Sequence, residues 1–120
     1  MSKKTLILGA SENPSRMSFT ALIQLKQHGH EVIAVGSREA TINDTPIHTH
    51  IPNIKNLDTI TLYIRPEIQN TMMDDIFKNK PKRIIFNPGT ENKNLQAKAN
   101  SLGIQTDNAC TLVLLSLNQY

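Results

Sequence analysis

Five short apolar runs, alternating with amphipathic stretches, leave this 120-residue chain few folds to choose from. The first run, Thr5-Leu6-Ile7-Leu8, is partly β-branched and stops at Gly9-Ala10-Ser11. Such a run reads as a buried strand, and the small residues after it as a tight turn. From Ser18 to His28 the apolar positions Phe19, Leu22, Ile23 and Leu25 recur at helical spacing, with Ser18 as N-cap and Gly29 as the closing residue. Glu31–Val35 is a second strand, and the β-branched Thr59–Ile64 a third. Pro66, at a helix N1 position, opens an apolar stripe of Ile68, Met72, Ile76 and Phe77 that Lys80-Pro81 ends. Arg83–Phe86 is a fourth strand and Ile104–Asp107 a fifth. Between them Thr90–Leu102 is a helix buried through Leu95, Ala99 and Leu102 and closed by Gly103. Asn108 caps a last helix carrying Leu112, Val113, Leu115 and Leu117.

This alternation implies one α/β, Rossmann-like domain over residues 1–120, a five-stranded parallel sheet with helices on both faces and right-handed crossovers. The expected strand order is 3-2-1-4-5, which sets the first and fourth strands at the switch point where such sheets bind ligands. Arg38–Leu57 resists this scheme. It holds two prolines and little periodicity, with room for a short strand at Pro46-Ile47-His48 or a helical turn near Ile54. A loop of that length in a compact domain is usually functional.

Composition narrows the function classes. No apolar run is long enough to span a bilayer, and Met1-Ser2-Lys3-Lys4 leads into a strand rather than a secretion signal, so a cytoplasmic protein is the expectation. The single cysteine, Cys110, cannot form an internal disulfide. It reads as a small packed residue rather than a redox centre. A net charge of +3 and 4% aromatic residues argue against a nucleic-acid surface. His48 and His50 alternate on one strand face without further ligands at metal-binding spacing. No acid–base pair stands out, and Ser11 has no histidine partner in sequence reach. The apolar last helix leaves room for a homodimer.

The chemistry therefore falls to the strand-end loops. Gly9-Ala10-Ser11 opens toward a helix start, where bare backbone N–H groups attract phosphate. Its spacing is not the G-x-G-x-x-G of dinucleotide sites. After the second strand come Gly36-Ser37-Arg38, where an NAD site would place an acidic residue for the ribose. Arginine there suits a phosphomonoester through bidentate pairing, as carried by NADP or by coenzyme A.

Order and spacing over nearly the whole chain resemble the family of small stand-alone CoA-binding proteins, which shares the Rossmann-like CoA-binding domain of succinyl-CoA synthetase α subunits. The matching pieces are Gly9-Ala10-Ser11 with Asn13-Pro14, Arg16 and Ser18; Glu31-Val32-Ile33 with Val35; Arg65-Pro66-Glu67; Asn87-Pro88-Gly89-Thr90-Glu91-Asn92; and Ala109-Cys110-Thr111-Leu112-Val113. The resemblance implies that Gly9, Ala10 and Ser11, with Asn13, Arg16 and Ser18 nearby, face the pyrophosphate. It places Ser37 and Arg38 by the adenosine and its 3′-phosphate, Arg65 and Pro66 along the adenine or pantetheine path, and Asn87 and Gly89 on the opposite wall. The family usually has Asn-Pro or a similar pair where this chain has Gly36-Ser37. The expected function is non-enzymatic binding of coenzyme A or acyl-CoA, as a sensor or carrier. Two alternatives are an NADP-dependent oxidoreductase-like domain and an interaction protein that has kept the fold and lost its ligand.

Overall fold

The structure, a computed structural model, describes residues 2–120. Its strands are β1 (Thr5–Leu8), β2 (Val32–Val35), β3 (Ala40–Ile42), β4 (Thr45–His48), β5 (Thr59–Leu62), β6 (Arg83–Phe86) and β7 (Gln105–Asn108). Its helices are α1 (Met17–Gln27), α2 (Pro66–Thr71), α3 (Met73–Lys78), α4 (Lys93–Ser101) and α5 (Thr111–Ser116). All five predicted strands are present, but the expected five-stranded parallel sheet in order 3-2-1-4-5 is not. The sheet has seven strands in order β3-β4-β2-β1-β5-β6-β7. Every neighbouring pair is parallel except β3 with β4.

The difference has one cause. The stretch after Arg38 contains a hairpin, β3–β4, turning at Asn43-Asp44 with Asn43 at φ 53. Asparagine tolerates that left-handed conformation better than most residues. β4 then takes the place outside β2, with Ala34 opposite Ile47. The strand at 59–62 pairs with β1 instead, Thr5 opposite Thr59. The switch point therefore lies between β1 and β5, not between β1 and β6.

Core side chains follow the pleat. Leu6 and Leu8 of β1 pack with Ile60, Leu62, Ile84 and Phe86 beneath α3 and α4, while Ile7 packs with Ala34, Leu22, Leu25 and Leu115 beneath α1 and α5. Each such fully buried Leu or Ile contributes on the order of 1.5–3 kcal/mol. No helix among the described residues is long and apolar enough to cross a membrane.

Helix boundaries shift where local chemistry competes. α1 begins at Met17 with Arg16 in the cap position, so Ser18 is a buried second residue and not the N-cap. Asn92, not Thr90, starts α4, its Oδ1 accepting from Leu95 N at 3.1 Å. Asn108 ends β7 and does not cap α5. The stripe after Pro66 breaks at Met72 into two six-residue helices.

The N-terminal edge of the sheet gathers cations around Tyr120. The Arg83 guanidinium, 7% exposed, stacks 4.5 Å from the Tyr120 ring and donates Nε–H to Thr59 Oγ1 at 3.0 Å. The Tyr120 hydroxyl meets Thr5 Oγ1 at 2.6 Å. His30 packs its ring 4.9 Å from the same tyrosine, and its Nδ1 accepts from the Lys3 amide at 2.9 Å. Burial, then His28 and the nearby Lys3 and Arg83, lower the His30 pKa from its ordinary 6.5. Below 6.5 the unfolded chain thus binds the proton more readily than the native one. Stability should fall as pH drops below 6.5, and His30→Asn should flatten that slope in urea-unfolding midpoints measured from pH 8 to pH 5.

Candidate functional site

Three parallel strand tips meet at close range. The amides of Gly9 and Ala10 both donate to the carbonyl of Val35 at 2.9 Å, and the Tyr63 amide donates to Leu8 O at 2.8 Å. Gly9 takes φ +97, and a Cβ there would lie 2.7 Å from Tyr63 O. At Gly36 a Cβ would meet Ala10 O at 2.2 Å. Both positions need glycine for approach of backbone to backbone. The Gly36-Ser37 pair, where the family resemblance leads one to expect Asn-Pro, thus answers a steric demand from the β1 tip.

These bonds correct one expectation. The Gly9 and Ala10 amides are not bare, because a neighbouring strand's carbonyl already uses them. Among the described residues, the Ser11 and Glu12 amides have no protein acceptor, nor do those of Met17 and Ser18 at the start of α1. The loop between is held by its own side chains: Ser11 Oγ accepts from the Asn13 amide at 3.1 Å, and Asn13 Oδ1 from both Ser15 N and Ser15 Oγ. Asn13 thus shapes the loop. The first turn of α1 has no side-chain cap and no acidic residue, and an arginine precedes it. Its positive end is left open toward the loop.

Over these tips lies a cleft of about 900 Å³, within the range of about 300–1,000 Å³ usual for ligand pockets. Gly9, Ala10, Ser11, Asn13, Arg16, Ser18, Ser37, Arg38, Arg65 and Gly89 all line it. Pro66 and Asn87 do not. Pro66 is the first residue of α2. Asn87, 2% exposed, is a brace. Its Nδ2 donates to Thr61 Oγ1 and Leu62 O, and its Oδ1 accepts from the Thr111 amide at 2.9 Å. That ties the end of β6 to β5 and to the start of α5.

The lining includes three arginines, Arg16, Arg38 and Arg65, and no carboxylate. Arg16 and Arg38 are exposed without an acidic partner among the described residues. Arg65 stands 3.5 Å from Glu67, and both side chains are more than 70% exposed, so that pair holds little. The other wall is apolar, with Ile64, Ile68, Met72 and Pro88. Arg16 and Arg38 therefore suit anionic groups, and the stretch with Ile64, Ile68, Met72 and Pro88 suits a neutral chain.

The sequence model of the CoA binding domain family matches residues 3–116. The chain belongs to this family. A crystal structure of an uncharacterized protein is similar at 43% identity, with a TM-score of 0.97, covering 100% of this chain and 99% of that one. A hypothetical protein from Pyrococcus horikoshii OT3 shares the fold at 22% identity and a TM-score of 0.84, over 93% and 80% of the two chains. A protein from Thermus thermophilus shares it at 15% identity and a TM-score of 0.86, over 99% and 91%. Among curated proteins none matches.

In this CoA binding domain, several lining residues escape a reading of the loops alone. Thr49 follows β4, the short strand for which the sequence left room at Pro46-Ile47-His48, and Ile68 and Met72 read as residues of the apolar stripe behind Pro66. Ile64 and Met72 do pack against the core, each also facing the cleft. Tyr63 reaches the cleft from the β5 tip, its hydroxyl buried beside Thr61 and Thr111 with no partner at hydrogen-bonding geometry. Burial, reinforced by Cys110, pushes its phenol up to about 12. Cys110 itself does not line the cleft. The described residues contain no cluster of three His, Cys, Asp or Glu able to hold a metal.

The strand-tip geometry is testable at Gly36. Alanine there meets a backbone oxygen that can yield only by moving the β1 turn. We expect Gly36→Ala to cost about 1–3 kcal/mol of stability, the range for overpacking, read as a lower urea midpoint.

Proposed function

We propose that the cleft binds coenzyme A or acyl-CoA and that the chain performs no chemistry of its own. One observation carries the reading: a cleft whose lining has three arginines and no carboxylate, at an uncapped helix start, with apolar residues in the same lining. Coenzyme A has that division of charge, with a pyrophosphate and a ribose phosphate at one end and a neutral pantetheine arm at the other. The pyrophosphate sits at the open amides of Ser11 and the α1 start, with Arg16 beside it. Arg38, at the β2 tip, takes the 3′-phosphate. The arm runs along Ile64, Ile68 and Pro88. Guanidinium pairing with phosphate is bidentate and direction-specific, which suits the two exposed arginines to this task.

A non-enzymatic role is the simpler fit. The Tyr63 phenol, held near 12, is a poor proton donor or acceptor at neutral pH. The lining residues include no carboxylate and no imidazole to move a proton. Binding without turnover suits a sensor or carrier of acyl-CoA. Val113 on α5 and Leu117 at its C-cap, both more than half exposed, offer a second copy an apolar surface away from the cleft.

Calorimetric titration with coenzyme A and dephospho-CoA tests the assignment. Arg38→Ala should lose about 1–2 kcal/mol of affinity for coenzyme A, as for a hydrogen bond to a charged group in partly exposed surroundings. It should leave dephospho-CoA almost unaffected. Equal wild-type affinity for the two ligands removes Arg38 from the 3′-phosphate, and no affinity for either removes the coenzyme.

A further inference from the structure

Past their last paired residues, Leu62 and Phe86, β5 and β6 lose the sheet's ladder and their chains diverge, one into α2 and the other toward α4. Ile64 and Thr90 lie in these two diverging loops, and both line the cleft. One side chain joins them. Gln69, on α2 and wholly buried, donates one Nε2–H to Ile64 O at 2.8 Å and the other to Thr90 O at 2.7 Å. Its Oε1 accepts from Asn92 Nδ2 at 3.1 Å, and Asn92 also reaches Asn70 Oδ1 at 3.0 Å while capping α4. Gln69 is not itself on the cleft surface.

We propose that Gln69 is a positioning residue that sets the separation of the two loops between which the coenzyme's pantetheine arm passes, an inference that rests on the cleft's being the coenzyme site. The chemistry leaves few substitutes. Two carbonyl oxygens must be held by one uncharged group with two hydrogens on a single nitrogen, and a third contact must fix its orientation. Leucine and methionine have no donor, ionised glutamate has none, and asparagine is one methylene shorter. Without the amide, the buried Thr90 carbonyl and the half-buried Ile64 carbonyl lose their partner and the loops relax apart to reach water.

The test compares ligands that use different parts of the cleft. Wild type, Gln69→Leu and Gln69→Met are titrated with coenzyme A and with adenosine 3′,5′-bisphosphate, which keeps the charged end and lacks the arm. The variants should bind coenzyme A about tenfold more weakly, the scale of losing partners for buried polar groups. Their affinity for the bisphosphate should change by less than about twofold. Amide hydrogen exchange should accelerate at residues 64–68 and 88–92 and stay unchanged at Ile7 and Ala34. An equal loss for both ligands, or none for either, overturns the proposal. If the wild type itself takes no coenzyme A, the coenzyme reading falls. The exchange pattern then decides: acceleration confined to the two loops keeps Gln69 as the device that sets the cleft, and uniform or absent acceleration overturns it. Should the Gln69 variants fail to fold, Asn92→Asp keeps the α4 cap and removes the donor to Gln69 Oε1. It should show the same selective loss at smaller size, and an unselective loss overturns the proposal.

Discussion

The carbonyl of Val35 accepts two amide hydrogens, from Gly9 and Ala10, and the site depends on that shared bond. It turns the chain leaving β1 over the tip of β2, so closely that Gly36 has no room for a Cβ beneath Ala10 O. On the other side Gly9 lies against Tyr63 O at the tip of β5. Three central strands are thereby joined at their C-terminal ends by backbone contacts at the base of the cleft. The open amides are displaced one step along, to Ser11, Glu12 and the start of α1. In the binding mode proposed above, the loop and helix meet the ligand's phosphate and the strand ends serve as support.

The strands that the sequence reveals best are those buried on both faces. β1, with Leu6, Ile7 and Leu8 fully buried, and β6, with Ile84, Ile85 and Phe86, read as unbroken apolar runs because nothing polar has to face water. β3 and β4 give no such signal. They are three and four residues long, Thr41, Pro46 and His48 are exposed, and a proline interrupts the alternation. Pro46 is tolerable near the sheet's edge, and it leaves Pro46-Ile47-His48 readable as a short strand but not as part of a central sheet. Leaving that short strand out of the expected sheet displaced the third predicted strand in the order, because β4 occupies the place beside β2.

The candidate site divides in the same way. Loops of small residues and arginines are visible as strand ends, and ten of the twelve residues singled out from them line the cleft. Asn87 shows the limit of such reading. Its side chain belongs to a conspicuous Asn-Pro-Gly turn, yet its bonds go to Thr61 and Thr111, 26 and 24 residues away. No spacing rule shows that a polar side chain at a strand tip points down into the sheet and not up toward a ligand. Gln69 is the same case from a helix, with its carbonyl partner on Thr90 21 residues away.

Arginine serves two opposite purposes in this fold, and burial separates them. Arg83 is withdrawn from water, stacked on Tyr120 and bonded to Thr59, with one Nη2 left without a partner. Its charge is spent inside the protein, where cation–π contact offsets part of the desolvation. Arg16 and Arg38 stand exposed at the cleft without an acidic partner among the described residues. A solvated guanidinium keeps its full capacity for an incoming phosphate, because little internal interaction must be broken first. The net charge of +3 gives no hint of this, since it sums charges at both edges of the sheet. What favours an anionic coenzyme is the position of these two arginines: beside the unpartnered amides, on the edge opposite Arg83, and in a lining that has no carboxylate.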